Sequence, residues 1–539
     1  MTATLLVALV VALPIVSIPW LALFPRENIW PHLASTVLPG YVLTTLALML
    51  GVSFGVLTMG VTSAWLVTMC RFPARRVFEW AQLLPMAVPA YVVAYVYTDL
   101  LEYAGPVQSA LRLVFGWQSA ADYWFPEIRS LPGAIAMMSI VLYPYVYLLS
   151  RAAFLEQSVG LLDASRILGC GPWATFFRVS LPMARPSIAA GAALALMETL
   201  NDIGTVDFFA VQTLTLGIYD VWLNMGNIGG AAQIAMVMLL FVAALLTIER
   251  QSRRRHRHYQ ISGRLKELPA HRLRGARAGL AFVACLMPVA AGFVIPAIVL
   301  VSYSIRYFDE SWTPDFLRYA LNSLTLSSGA ALAAVCVALV LAYGRRVAGG
   351  KLIGAAVNFA SFGYAVPGAV LAIGVIIPFA SFDNAVDAFM RDRLGISTGL
   401  LLSGTVFALL FAYVVRFLAI ALGSADSSLA KVTPAMDMAA RTLAHGPLAT
   451  FFKVHLPLIR GGVLIGVLVV FVDCMKELPA TLILRPFNFD TLATYVYQFA
   501  SDELIEKASL GALGIVLAGL IPVVVLSRVI TATRETQTV

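Results

Sequence analysis

Long apolar runs separated by short polar segments organise the 539 residues of this chain. Windows long enough to cross a bilayer as helices fall near 3–23, 41–69, 80–101, 132–150, 186–206 and 231–248. A second set falls near 279–303, 320–343, 354–380, 399–421, 461–482 and 507–530. The runs are continuous, as in Tyr41–Thr68 and Gly279–Ser302, and lack the alternation of a barrel strand. In lipid the backbone must satisfy its own hydrogen bonds, so these runs predict helices. The expectation is an all-α, polytopic membrane bundle of about 12 spans.

Composition agrees with that pattern. Apolar residues make up 60% and charged residues 12%, against about 45–50% and 25% in soluble domains. The net charge of +8 does not point to nucleic acid, because the basic residues sit between apolar runs. Arg71, Arg75 and Arg76 follow span two, Arg151, Arg166, Arg178 and Arg185 lie between spans four and five, and Arg250 and Arg253–Arg255 follow span six. Arg345 and Arg346 follow span eight, and Arg441, Lys453 and Arg460 lie between spans ten and eleven. With alternating spans all of these share one face, which the positive-inside rule makes cytoplasmic, together with the N-terminus. Met1–Leu23 lacks a basic n-region and reads as an uncleaved first span of a bacterial inner-membrane protein.

The centre of the chain is basic, with RRRHRHY at Arg253–Tyr259 and HRLRGAR at His271–Arg277. Beside anionic headgroups this reads as a cytoplasmic anchor on membrane lipid. His256 and His258 stand among arginines, which repel a metal ion. The five cysteines show no CxxC spacing and predict free thiols. The expected organisation is a first half over 1–249, a linker over 250–278 and a second half over 279–539.

Six spans per half imply a parallel repeat. Adding 275 carries Arg166, Gly171, Pro172, Ala174, Thr175, Phe176, Phe177, Leu181, Pro182, Arg185 and Gly191 onto the same residue types at Arg441, Gly446, Pro447, Ala449, Thr450, Phe451, Phe452, Leu456, Pro457, Arg460 and Gly466. About half the positions from 164 to 191 are identical across the shift. Gly and Pro interrupt helices, so each copy predicts a short helix, a turn and a further helix. Duplicated cytoplasmic elbows suit a two-fold symmetric partner.

These segments resemble the signature of importer permeases of the ATP-binding-cassette class, E-A-A-x3-G-x9-I-x-L-P. The first copy, DASRILGCGPWATFFRVSLP, carries Asp163, Ala164, Ser165, Gly169, Val179, Leu181 and Pro182 at the motif positions. The second, MAARTLAHGPLATFFKVHLP, keeps Ala439, Ala440, Val454, Leu456 and Pro457, with Met438 for the acid and Ala444 for the glycine. The resemblance implies that the elbow, including Arg166, Gly171, Pro172, Arg441, Gly446 and Pro447, docks on an ATPase subunit. It also implies a homodimer of that ATPase and a periplasmic substrate-binding protein as partners.

The chain itself carries no phosphate loop of the form G-x4-G-K-[ST]. In the nearest stretch Leu352 follows Gly349-Gly350-Lys351, and Arg345 takes the place of the first glycine. The expectation is a pore-forming subunit that is not an enzyme and has no covalently bound cofactor, with ATP used by its partner.

Charges inside a membrane are costly and point to function. Glu198 and Asp202 lie four apart on span five, and the shift of 275 gives Asp473 and Glu477 on span eleven. Glu198 is roughly 18 Å along from residue 186 at 1.5 Å per residue, beyond the bilayer middle. With Asp207 nearby, these acids predict a carboxylate-lined substrate path that attracts cations, with transient metal contact at Glu198, Asp202, Asp473 and Glu477. The alternative assignment of the acids is pairing with Lys476, Asn201 or backbone groups near Gly204 and Pro479. The stretches Met197–Trp222 and Lys476–Glu503 look like fused permeases of ferric-iron importers. Fused permeases for thiamine or another organic cation are the alternative, and an ion-coupled secondary transporter is the alternative of another class.

Overall fold

The structure is a computed structural model that describes residues 2–157, 159–254, 271–430 and 432–535. The middle of the basic linker, 255–270 with His256 and His258, lies outside the described residues. The described chain is a helical membrane bundle. Eleven helices are long and apolar enough to cross a bilayer, and a twelfth span is reached if one bent pair counts as one.

That bent pair replaces the expected third span. Arg75–Ala87 and Ala90–Phe115 meet at 90°. The expected ninth span is likewise broken, into Lys351–Ala360, a 3-10 turn at Ser361–Ala365, and Gly368–Leu394. Both breaks fall at Ala-Val-Pro. Proline cannot donate to the preceding turn and forces the residue before it out of the helical region. Val88 and Val366 are accordingly extended, with ψ of 123° in each.

Two compact units form, and they cut across the sequence halves. One contains residues 1–36, 217–239 and 312–495, and the other 37–216, 240–311 and 496–539. In the first unit the helix Thr2–Leu23 lies on Gly368–Leu394, where Ser17 Oγ donates to the Gly374 carbonyl at 2.7 Å. A Cβ at Gly374 would stand 2.3 Å from the Pro14 oxygen, so the glycine permits this contact. In the second unit the span Ala276–Arg306 lies on first-half helices. Gln82 donates to the Cys285 carbonyl at 2.9 Å, Tyr97 to the Ala291 carbonyl at 2.8 Å, and Tyr303 to Asp99 at 2.6 Å. Each half thus has its first span grouped with the other half's helices.

Small residues set the packing, since apolar side chains gain little from leaving lipid. In the second unit Gly51, Gly55 and Gly60 admit Ile135, Ser139 and Val146 of Leu131–Leu155. In the first unit Gly462 and Gly466 admit Ser428 and Ser424.

Three spans contain a widened, π-helical turn, at Phe176–Ser180, Ala290–Val294 and Phe451–His455. Pro182, Pro296 and Pro457 each stand two residues beyond it. A proline inside a helix crowds the carbonyl four residues earlier and offers it no donor. The helix absorbs the misfit as one turn with bonds spanning five residues, such as Leu181 N–H to Phe176 O.

Candidate coupling elbows and carboxylate-capped breaks

The two signature segments fold alike. Val159–Ile167 and Pro434–Thr442 are the leading helices, and Pro172–Thr175 and Pro447–Thr450 begin the next ones. Both leading helices end the same way. Cys170 N–H reaches back to Ser165 O at 2.9 Å, and His445 N–H to Ala440 O at 3.0 Å. This six-residue closure needs a left-handed residue between. Gly169 supplies it with φ of 79°, and Ala444 is held there at 56°. The signature glycine therefore answers to a helix end, and its replacement by Ala444 keeps the turn at a steric cost.

Within each elbow one signature position faces inward. Ser165 is buried, with its hydroxyl 3.2 Å from that of Thr175, and Ala440 is buried at the equivalent place. Asp163, Ala164 and Ala439 are exposed, as are Gly171 and Gly446. Leu181, Pro182 and Leu456 are half-buried, and Pro457 is exposed. Arg166 and Arg441 lie on the leading helices, and Pro172 opens the next one. Apolar side chains stand out from both tips at equivalent positions: Leu168 and Leu443, Trp173 and Leu448, Phe177 and Phe452 are all more than half exposed.

The second elbow has an ionic anchor that the signature does not foretell. Asp437 accepts from Arg346 at 2.8 Å and from His455 Nε2 at 2.6 Å, while Arg346 also donates to the carbonyls of Leu429 and Val432. Burial pulls the Asp437 carboxyl upward, but the bonds and charges of Arg346 and His455 outweigh it and hold it below the usual range. The equivalents of Asp437 and His455 in the first half are Leu162 and Ser180, so no such anchor is encoded there.

The two acids of each pair do not both lie on their span, contrary to expectation. The fifth span ends at Asn201 and Asp202 is extended, with ψ of 122°. The eleventh ends at Met475, before Glu477. Each carboxylate has left its span to cap the next short helix. Asp202 Oδ1 accepts from Thr205 N–H at 2.7 Å, at the start of Gly204–Phe208. Glu477 Oε1 accepts from Ala480 N–H at 3.1 Å, at the start of Pro479–Leu484. An acidic side chain satisfies orphan donors and the positive helix end. The repeat preserves this cap to the residue.

Beyond the cap the breaks differ. Glu477 is 4% exposed and ion-paired to Arg416 at 3.2 Å, which sequence reasoning did not single out. A Cβ at Gly368 would meet both partners within 3 Å, so that glycine makes room for the pair. Asp473 pairs with Lys476 at 3.1 Å. In the first half, neither Asp202 nor Asp207 is ion-paired among the described residues. Asp207 accepts from the Tyr497 hydroxyl at 2.5 Å. Glu198 is half-buried at the end of its span.

Comparison with known proteins fits this picture. Residues 56–258 match the family described as binding-protein-dependent transport system inner membrane component. The Fe(3+)-transport system permease protein FbpB 2 of Haemophilus influenzae is 25% identical over 500 residues, which cover 90% of this chain and 88% of that protein. The molybdenum transport system permease protein ModB of Escherichia coli is 27% identical over 198 residues, 36% of this chain and 83% of ModB. The chain is thus about twice as long as ModB. With its duplicated elbows and polytopic helical bundle, the chain is similar to the inner-membrane permeases of binding-protein-dependent transport systems.

Proposed function

We propose that this chain forms the translocation path of an ATP-driven importer of ferric iron, with its N-terminus in the cytoplasm. A homodimer of separate ATPase subunits binds and hydrolyses ATP, with one copy under each elbow, and a periplasmic binding protein delivers the cargo. The observation that carries the reading is the duplicated elbow with its exposed apolar tip. An isolated membrane protein gains nothing from Trp173, Phe177, Leu448 and Phe452 in water, whereas a docked partner buries them. Closure of the ATPase pair would draw the elbows together, and the spans, continuous with the elbows through the π-turns, would follow. ATP enters only as a bias between two states of the spans.

The cargo follows from charge and from relatives. Asp202 and Asp207 at the first span break, which have no ion pair among the described residues, attract cations and disfavour oxyanions. A relative matched along 90% of the chain is named for ferric iron, whereas the molybdenum-named ModB proteins match 36–37% of it.

Gly171 and Gly446 offer the test. A Cβ at either would meet nothing within 4 Å, so the fold tolerates a side chain there. A Gly171→Trp, Gly446→Trp permease should insert and assemble normally yet lose ATP-driven ferric uptake in vesicles with its ATPase and binding protein. Wild-type uptake by that double variant would overturn the docking role.

A further inference from the structure

The first-half break holds a set of oxygen atoms that its cap does not use. Tyr95, on the helix Ala90–Leu101, is 2% exposed, and its hydroxyl has no hydrogen-bond partner among the described residues. A buried hydroxyl without a partner is destabilising, because it has left water and gained nothing in return. Its ring stands edge-on to Phe208, with centroids 4.6 Å apart, and its hydroxyl is within electrostatic reach of Asp202, Asp207, Tyr91 and Tyr497. Tyr497 in turn donates to Asp207 at 2.5 Å. Phe208 is roofed by Arg129 at 4.7 Å, whose charge is matched by Glu102 and Glu503. All of these residues belong to one compact unit.

We propose that Asp207, Tyr497 and Tyr95, supported by Asp202, form a transient binding site for a hard trivalent cation in the translocation path. This deepens the importer reading above and rests on it for the cargo. Carboxylate and phenol oxygens are the donors such an ion prefers. Charge also balances. Two carboxylates and the phenolate of Tyr497 neutralise three positive charges, and the phenolic proton leaves to water in the path. Tyr95 adds a fourth oxygen, and coordination explains why a buried hydroxyl is kept without a protein partner. The second half encodes no equivalent. After the same Ala-Val-Pro, Ala369 and Ile373 replace Tyr91 and Tyr95, and Leu482 stands where Asp207 would be. The site is therefore single, on the first-half side of a duplicated scaffold.

The test uses the full permease in lipid nanodiscs, titrated with ferric nitrilotriacetate and followed by the visible phenolate-to-iron charge-transfer band. Wild type should show the band, and gallium(III) should compete it away. Tyr95→Phe should weaken the band while slightly raising the melting temperature, because it removes an unsatisfied hydroxyl. Tyr95→Phe with Tyr497→Phe should abolish it. No band in wild type, or an undiminished band in the double variant, overturns the site. A parallel arm measures ATP-driven ferric uptake by the complete complex. Normal uptake by the double variant sinks the site and leaves the importer reading standing. A wild-type complex that shows the band but imports no iron keeps the site and removes the cargo reading.

Discussion

The breaks after the fifth and eleventh spans began as copies of one design and have diverged in charge. Both stop a span within one residue of the same register, and both cap the next helix with a carboxylate three residues ahead of its partner N–H. At the second break that carboxylate is held by buried Arg416. At the first it has no ion pair among the described residues, and Asp202, Asp207, Tyr91 and Tyr497 all lie within electrostatic reach of Tyr95. The shared part is what the backbone demands of any broken helix. The divergent part is free to serve function: one break is a neutralised joint, and the other keeps negative charge available.

The comparison is broken most severely at Arg416. Arg416→Leu should strand Glu477 as a buried unpaired charge and cost about 3–5 kcal/mol. Thermal unfolding in detergent should show a large loss, largely recovered by adding Glu477→Gln. No loss would mean that the second break is as open as the first. Next come the caps. Asp202→Ala should remove a helix cap worth about 1–2 kcal/mol, and Glu477→Ala should cost more, because besides its cap it strands buried Arg416. Asparagine and glutamine at these positions should retain most of the cap, so cap and charge can be separated by comparing the two series. At the elbows, Ala444→Gly should relieve a left-handed alanine and stabilise the protein by roughly 1 kcal/mol. Gly169→Ala should cost a similar amount, which makes the two elbows energetically interchangeable in a reciprocal swap.

The smallest effect depends on pH, because the anchor of the second elbow is a quarter exposed and partly screened. The Asp437 carboxyl is held low in the folded protein. Its contribution is therefore present above the ordinary aspartate range and is lost as pH falls through the depressed folded value. Protease cleavage near residue 437 should rise on acidification, with no matching change near 162. Asp437→Asn should remove that pH dependence.

Much of this was legible beforehand because it is local or periodic. Eleven apolar runs became spans or parts of spans, and the elbow was readable because Gly-Pro, Thr-Phe-Phe and Leu-Pro recur at a fixed shift. Broken spans were missed where apolar composition stayed high across a proline, as at Pro89 and Pro367. Hydropathy registers solvent preference and is blind to hydrogen-bond supply. The caps were also hidden, since Asp202 and Glu477 look like residues one turn beyond Glu198 and Asp473 until the helix is seen to stop. An acid three residues before a helix start was the available signal.

What the chain alone determined is a membrane-embedded helical duplication with basic elbows, because bilayer solvation and backbone satisfaction leave no other use for such runs. What only the tertiary structure decided is partnership over long separations. Ser17 meets Gly374, Gln82 meets Cys285, and Arg416 meets Glu477. Within lipid, apolar surface does not choose its neighbour, so these pairings depend on small residues that let backbones approach and on the few polar groups that must find each other. Neither leaves a period in the sequence.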